Sequence, residues 1–376
     1  MHAGKLGKYR RSWGALSLIL ISIAVHSYAQ SASPSQHYKQ TNLVSDMSGA
    51  ANRPDANLVN AWGLARSSTS PWWVADNAVG LSTLYSGTGD IVPLVVTIPP
   101  SDPKSGDAGN PTGVVYNGGT GFEIKKGFPA VFIFVTEDGT ISGWNPKVDG
   151  THAVIKVNAK EKSVFKGATI ATVNVPVLGP QSFLYVADFR KGRVRVYDAN
   201  FHRLPVPHDL FADDALPHGF APFNVQNIGG NIYVSFAQQD SDKEDDVPGA
   251  GLGYVDVFSP EGRLLQRLQH GPWFNAPWGL TLASSDFGSN SHDILVGQFG
   301  SGEILVFNPV TGAFKGRLHD ASNAAIKIDG LWALGFGNDA GAGPATTLFF
   351  TAGPNDEHNG LFGTIVAIEN VQGNDR

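Results

Sequence analysis

Six stretches of this chain repeat one plan, in which a small or apolar residue is followed by Gly and then by an apolar strand. They are "NAWGLA" from Asn60, "NPTGVVY" from Asn110, "FKGATIA" from Phe165, "APFNVQ" from Ala221, "APWGLTLA" from Ala276 and "IDGLWALG" from Ile328. Taking Gly63, Gly113, Gly167, Asn224, Gly279 and Gly330 as anchors, the spacings are 50, 54, 57, 55 and 51 residues. A near-constant period of this length marks a repeat architecture, in which each unit buries its apolar face only against its neighbours.

Each repeat continues with a second apolar strand, such as "WWVADN" or "FLYVADFRKG", and a third, such as "GLSTLYS" or "RVRVYDAN". A looser fourth follows in several repeats, as in "LVVTIP", "HAVIKV", "LLQRLQ" and "FKGRL". Four short strands per unit, joined by tight turns, make one propeller blade. With 45 Gly and 23 Pro, the chain is rich in the residues that such turns require. The expected fold is therefore an all-β, six-bladed β-propeller of four-stranded blades; six even copies argue against stacked β-sandwiches. The last repeat lacks a fourth strand, whereas "HYKQTNLVSD" (residues 37–46) precedes the first repeat without a sheet of its own. The segment is expected to supply the missing outer strand and close the ring, covering edges that would otherwise be exposed.

Residues 1–29 read as a signal peptide. Lys5, Lys8, Arg10 and Arg11 precede the 13-residue apolar run Trp13–Val25, and small residues follow at Ser27–Ala29. The run is too short to span a bilayer. The propeller is assigned to residues 30–369 and a polar tail to 370–376, and the protein is expected to be secreted or periplasmic. Cleavage after Ala29 removes four of the 27 basic residues and none of the 33 acidic ones, so the net charge becomes 23 − 33 = −10. Such a surface repels phosphate backbones, arguing against nucleic-acid partners, and no membrane insertion is expected after cleavage. With no cysteine, disulfides, thiolate nucleophiles and Cys-ligated metals are excluded.

The stretch "FLYVADFRKGRVRVYDANFHRL" (Phe183–Leu204) resembles an NHL-type repeat. "NLVNAWGLA", "GNPTGVV", "FAPFNVQNIGGNIYVSFA", "GYVDVFSPEGRLLQRL" and "FTAGPNDEHNGLFG" resemble an uncharacterised family of secreted bacterial propellers. The resemblance covers nearly all of the chain after the leader and implies a six-bladed fold. A wider similarity is to gluconolactonase-like and calcium-dependent phosphotriesterase-like propellers, whose central metal is held by a Glu on the first inner strand. Here that strand reads Asn60-Ala61-Trp62-Gly63 and offers no carboxylate.

In a propeller the loops leading into the inner strands converge at one mouth of the axis. Candidate ligand-binding residues are accordingly Asn60, Asn110, Lys166, His218, Asn275 and Asp329, with the aromatics Trp62, Phe223, Trp273 and Trp278. The Asn and Asp oxygens suit a hard cation such as Ca²⁺, and the rings suit a sugar or another flat ligand. Asn before Gly also caps turns, and Trp beside an axis also fills it. The acidic stretch "QQDSDKEDDVPGAG" offers Asp240, Asp242, Glu244, Asp245 and Asp246 as Ca²⁺ ligands, without EF-hand spacing; a solvated loop is the alternative. "TAGPNDEHNGLFG" adds Glu357 and His358 at the rim. No P-loop, G-x-S-x-G, H-E-x-x-H or G-x-G-x-x-G after a strand occurs. Two functions follow. One is a monomeric secreted propeller binding a small ligand, glycan or protein partner at its channel mouth; the other is a metal-dependent periplasmic hydrolase or lyase.

Overall fold

A computed structural model describes Met1, residues 37–159 and residues 162–368. Apart from Met1, the proposed signal peptide lies outside the described residues, as does the 370–376 tail. The described residues from His37 onward form one five-stranded and five four-stranded sheets arranged as a six-bladed β-propeller, with a small two-stranded sheet, Glu123–Lys125 with Phe128–Pro129, beside blade two. The inner strands are Ala61–Ala65, Pro111–Tyr116, Phe165–Val175, Phe220–Ile228, Pro277–Leu282 and Leu331–Phe336. Each pairs antiparallel with the next strand outward in its blade.

Ring closure follows the sequence expectation. Blade six takes its outer strand from His37–Ser45, which runs antiparallel to Leu361–Ile368 from His37 opposite Ile368 to Ser45 opposite Leu361. Tyr38 and Val44 of this strand are buried, and the Tyr38 hydroxyl donates to the Phe287 carbonyl of blade five at 3.1 Å. A further pair, Arg53–Pro54, lies parallel outside it. Among the described residues no helix is long and apolar enough to cross a membrane.

All six inner strands carry a register shift near their start. A bulge adds a residue to one strand and re-aims its side chain. The residues so placed are Trp62, Thr112, Lys166, Phe223, Trp278 and Trp332, each followed by a residue with a small side chain or by Asn224. Here the spacing needs a correction. In blade six the position after the bulged Trp is Ala333, not Gly330. Gly330 has φ +61° and precedes the strand, as do Asn60 at +47° and Ala276 at +48°. Close approach of neighbouring inner strands explains the small residues: a Cβ on Gly63 would stand 2.2 Å from the Thr112 carbonyl oxygen, and one on Gly279 2.6 Å from that of Trp332.

One hydrogen bond recurs in every blade. The residue after the second strand donates its N–H to the carbonyl of the residue leading into the inner strand. The pairs are Asn77 to Asn60, Glu137 to Asn110, Phe189 to Val164, Gln239 to Gly219, Phe299 to Ala276 and Gly353 to Gly330, at 2.8–3.1 Å. This bond carries six further residues towards the axis at the leading end, where the inner strands begin.

Asp76, the last residue of the second strand of blade one, is fully buried and has no ion-pair partner among the described residues. Its counterpart Asp188 pairs with Arg195 at 2.5 Å. Burial pushes the Asp76 carboxyl well above the usual carboxylate range, with Thr83 only partly offsetting it. The folded chain thus keeps a proton that the unfolded chain releases. Its stabilising effect is full below the unfolded value near 3.9 and is lost as pH rises towards the folded value. Asp76→Asn should therefore gain stability relative to wild type from pH 4 to pH 8. Parallel melting curves for the two proteins across that range would contradict this.

Candidate functional site: the charged mouth of the axis

The bulged residues close the axis. Trp62 and Trp332 stack at 3.8 Å between ring centroids, Phe299 stacks on Trp332 at 4.1 Å, and Trp278 meets both tryptophans edge-on at 6.4 and 6.0 Å. Phe223 lies 5.9 Å from Trp332. Trp62 is 2% exposed and Trp278 4%. The expected aromatic wall is therefore a plug, its faces taken up by one another. Trp273 belongs elsewhere and stacks on Phe314 at 4.1 Å.

Above the plug sits a network of charges. Lys166, 1% exposed, places its ammonium 5.0 Å from the Trp62 ring centroid. It donates to Glu137 Oε1 at 2.5 Å and Asp245 Oδ1 at 2.9 Å. Burial alone would lower its pKa, but these two carboxylates overcome that and hold the ammonium charged. Asn77 Nδ2 donates to the second Glu137 oxygen at 2.9 Å. Asn60 Nδ2 donates to Glu357 Oε2 at 2.6 Å and to Asn77 Oδ1 at 3.2 Å. Plug and network are tied together, because Trp332 Nε1 donates to Asn60 Oδ1 at 3.0 Å and Trp278 Nε1 to the Lys166 carbonyl at 3.0 Å.

Asp246 completes the group. Its Oδ2 is shielded from solvent and has no hydrogen-bond partner among the described residues. Burial raises its carboxyl to about 7; Lys166 opposes the shift, and the charges of Glu357 and Asp245 add to it. The Glu357 carboxyl is raised as well, mainly by burial. The mouth thus gathers four carboxylates around one ammonium, supplied by blades two, three, four and six. Asp245 is exposed, and Glu137 and Glu357 remain part-exposed, which leaves their outer faces accessible.

Of the expected ligand residues, Asn60, Trp62, Phe223, Trp278, Glu357 and Lys166 come together in the plug and the mouth. Asn110, Asn275 and Asp329 serve the loops around them. The Asn110 carbonyl holds the Glu137 N–H, Asn275 Oδ1 accepts from the Gly249 N–H at 2.6 Å, and Asp329 Oδ2 accepts from the Asn355 N–H at 2.9 Å. Asn275 is not the counterpart of Asn60, since Pro277 lengthens the echo by one residue and puts Ala276 in that place. His218 is exposed. His358 is exposed too, with Nδ1 set against the carbonyls of Asn355 and Asp356.

The acidic loop is clasped by cationic side chains. Glu244 pairs with Arg190, whose Nη2 also donates to the Asp242 carbonyl at 3.1 Å, and Asp240 Oδ1 accepts from the Glu244 N–H at 2.9 Å. Asp240, Asp242, Glu244 and Asp246 therefore do not gather on one point. Among the described residues no group of three or more His, Cys, Asp or Glu is arranged to hold a metal.

At the trailing end the axis opens into a cavity of about 270 Å³, walled by Val114, Ala168, Gln226 and Leu334. The one charged residue in its lining is Arg66, whose Nε donates to the Phe336 carbonyl at 2.6 Å.

Fold and mouth together define a six-bladed propeller with an aromatic axial plug and an acidic cluster built around a lysine. Over 344 residues the chain is 30% identical to the uncharacterized protein L690 of Acanthamoeba polyphaga mimivirus, covering 88% of this chain and 86% of that one. It belongs to the same family as L690. The uncharacterized protein R648 of the same virus is 29% identical over 341 residues, 87% of this chain and 80% of its own length. The resemblance to secreted bacterial propellers anticipates bacterial relatives, whereas these two are viral. Among solved structures, a Bacteroides thetaiotaomicron protein of unknown function aligns over 89% of this chain and 76% of its own, with 10% identity and a TM-score of 0.53. A streptogramin B lyase covers 89% of this chain and 98% of its own, with 11% identity and a TM-score of 0.49. No protein-family model matches the chain.

Proposed function

We propose that the protein is a ligand-binding propeller whose recognition surface is the charged mouth at the leading end of the axis. One observation carries this reading: Asp246 presents a solvent-shielded carboxylate oxygen without a partner among the described residues, within the electrostatic reach of a buried Lys166 whose charge is already committed to Glu137 and Asp245. Buried polar groups in folded proteins are generally satisfied, and an exception calls for a functional explanation. The aromatic plug gives the cluster a rigid base, and loops from different blades supply its charged groups, as is common for binding sites on rigid scaffolds.

A thermal-shift screen of cationic, neutral and anionic small molecules, with Ca²⁺ included, tests the reading. A molecule that binds this mouth should raise the melting temperature of wild type and lose most of that effect in Glu357→Gln. If every stabilising molecule acts equally on both proteins, the mouth is not the site.

A further inference from the structure

Resting on that reading of the mouth, we propose that its ligand carries an alkylammonium group, seated against Asp246 and Glu357 beside Lys166. The charges at the mouth do not balance. Lys166 is shared between Glu137 and Asp245. Glu357 receives the neutral Asn60 amide, and Asp246 Oδ2 receives nothing among the described residues. A shielded carboxylate is stabilised either by a proton or by a cation, and a ligand ammonium can take the proton's place.

The form of that cation follows from the site. A hard ion such as Ca²⁺ requires six to eight oxygens around one point, and among the described residues the acidic groups are not arranged in that way. An ammonium brings three donors and one charge, and its alkyl stem allows it to reach carboxylates that do not converge. Lys166 shows that this mouth already accommodates such a group, with two carboxylates at its nitrogen and the Trp62 face at 5.0 Å. Anions would meet the repulsion of four carboxylates.

Burial holds the Asp246 carboxyl near 7, opposed by Lys166 and reinforced by Glu357 and Asp245. Below that pH an incoming ammonium must displace a proton, so binding should tighten as pH rises from 6 to 8 and should release protons. Titration calorimetry on the full chain with 1,4-diaminobutane, and with butane-1,4-diol as the neutral control, reads both effects. The diamine should bind about tenfold more tightly at pH 8 than at pH 6, since one unit below its pKa a carboxyl is about nine-tenths protonated. The diol should not bind.

The nearly isosteric Asp246→Asn should weaken the diamine at least tenfold and abolish the pH dependence. Glu357→Gln should weaken it while retaining that dependence. Glu261→Gln, in the turn between the outer strands of blade four, should leave affinity unchanged. If a neutral or anionic molecule binds in a Glu357-dependent way and the diamine does not, the mouth remains a ligand site and the ammonium inference falls. Calcium binding with the same Asp246 dependence, in place of the diamine, also overturns it. If nothing binds the mouth, both readings fall.

Discussion

A chain lacking residues 37–45 should fail to fold cooperatively. Those nine residues form the outer strand of blade six and pair along Leu361–Ile368, so their loss exposes a sheet edge in the last blade. It also uncovers Phe362 and Ile365, both fully buried in the closed ring, and removes the Tyr38 bond to blade five. An unpaired edge with apolar faces is a template for pairing with other chains. The truncated protein should therefore aggregate or lack a cooperative thermal transition, and refolding with a peptide of residues 37–45 should restore a folded fraction. A sharp melt near the wild-type temperature without the peptide would show that the ring closes without this strand.

Trp332→Ala should destabilise the protein by about 3–5 kcal/mol, the usual cost of truncating a buried Trp. For a domain larger than 150 residues this corresponds to a fall in melting temperature on the order of 10 °C. Trp332 lies between Trp62 and Phe299 and meets Trp278 and Phe223, so no neighbour can fill the space without abandoning a stack. The loss should also reach the mouth, because the indole N–H positions Asn60, which in turn holds Glu357. Trp332→Phe separates the two effects: it should recover much of the stability while still loosening the mouth. A Trp332→Ala protein that melts within 2 °C of wild type would mean that the plug does not hold the ring together.

The blades and the closing strand were legible because both are imposed by the repeat. A 50-residue period admits few folds, and an orphan strand at one end answers a missing strand at the other. The plug was legible in part. Trp62 and Trp278 announce themselves by the Gly that follows, whereas Trp332 is followed by Ala333, and the nearby Gly330 serves a positive φ instead. Glu137 and Asn77 read as turn residues within their own blades. What brings them to Lys166 is the hydrogen bond shared by all six blades, visible in sequence only when the residue after each second strand is aligned. Lys166 itself was marked by position, but its partners come from other blades. A linear chain does not display which loops a closed ring will bring face to face.

The closing strand also fixes where the propeller can be tethered. His37 pairs with Ile368, so the first and last described strand residues of the ring lie side by side, while the strand's other end, Ser45, hydrogen-bonds the Gly360 carbonyl beside the Glu357 loop. Eight residues of extended chain, about 25 Å, separate those points. A surface or partner fixed at the His37–Ile368 pair would therefore hold the ring by its rim, on the far side of this strand from the charged mouth.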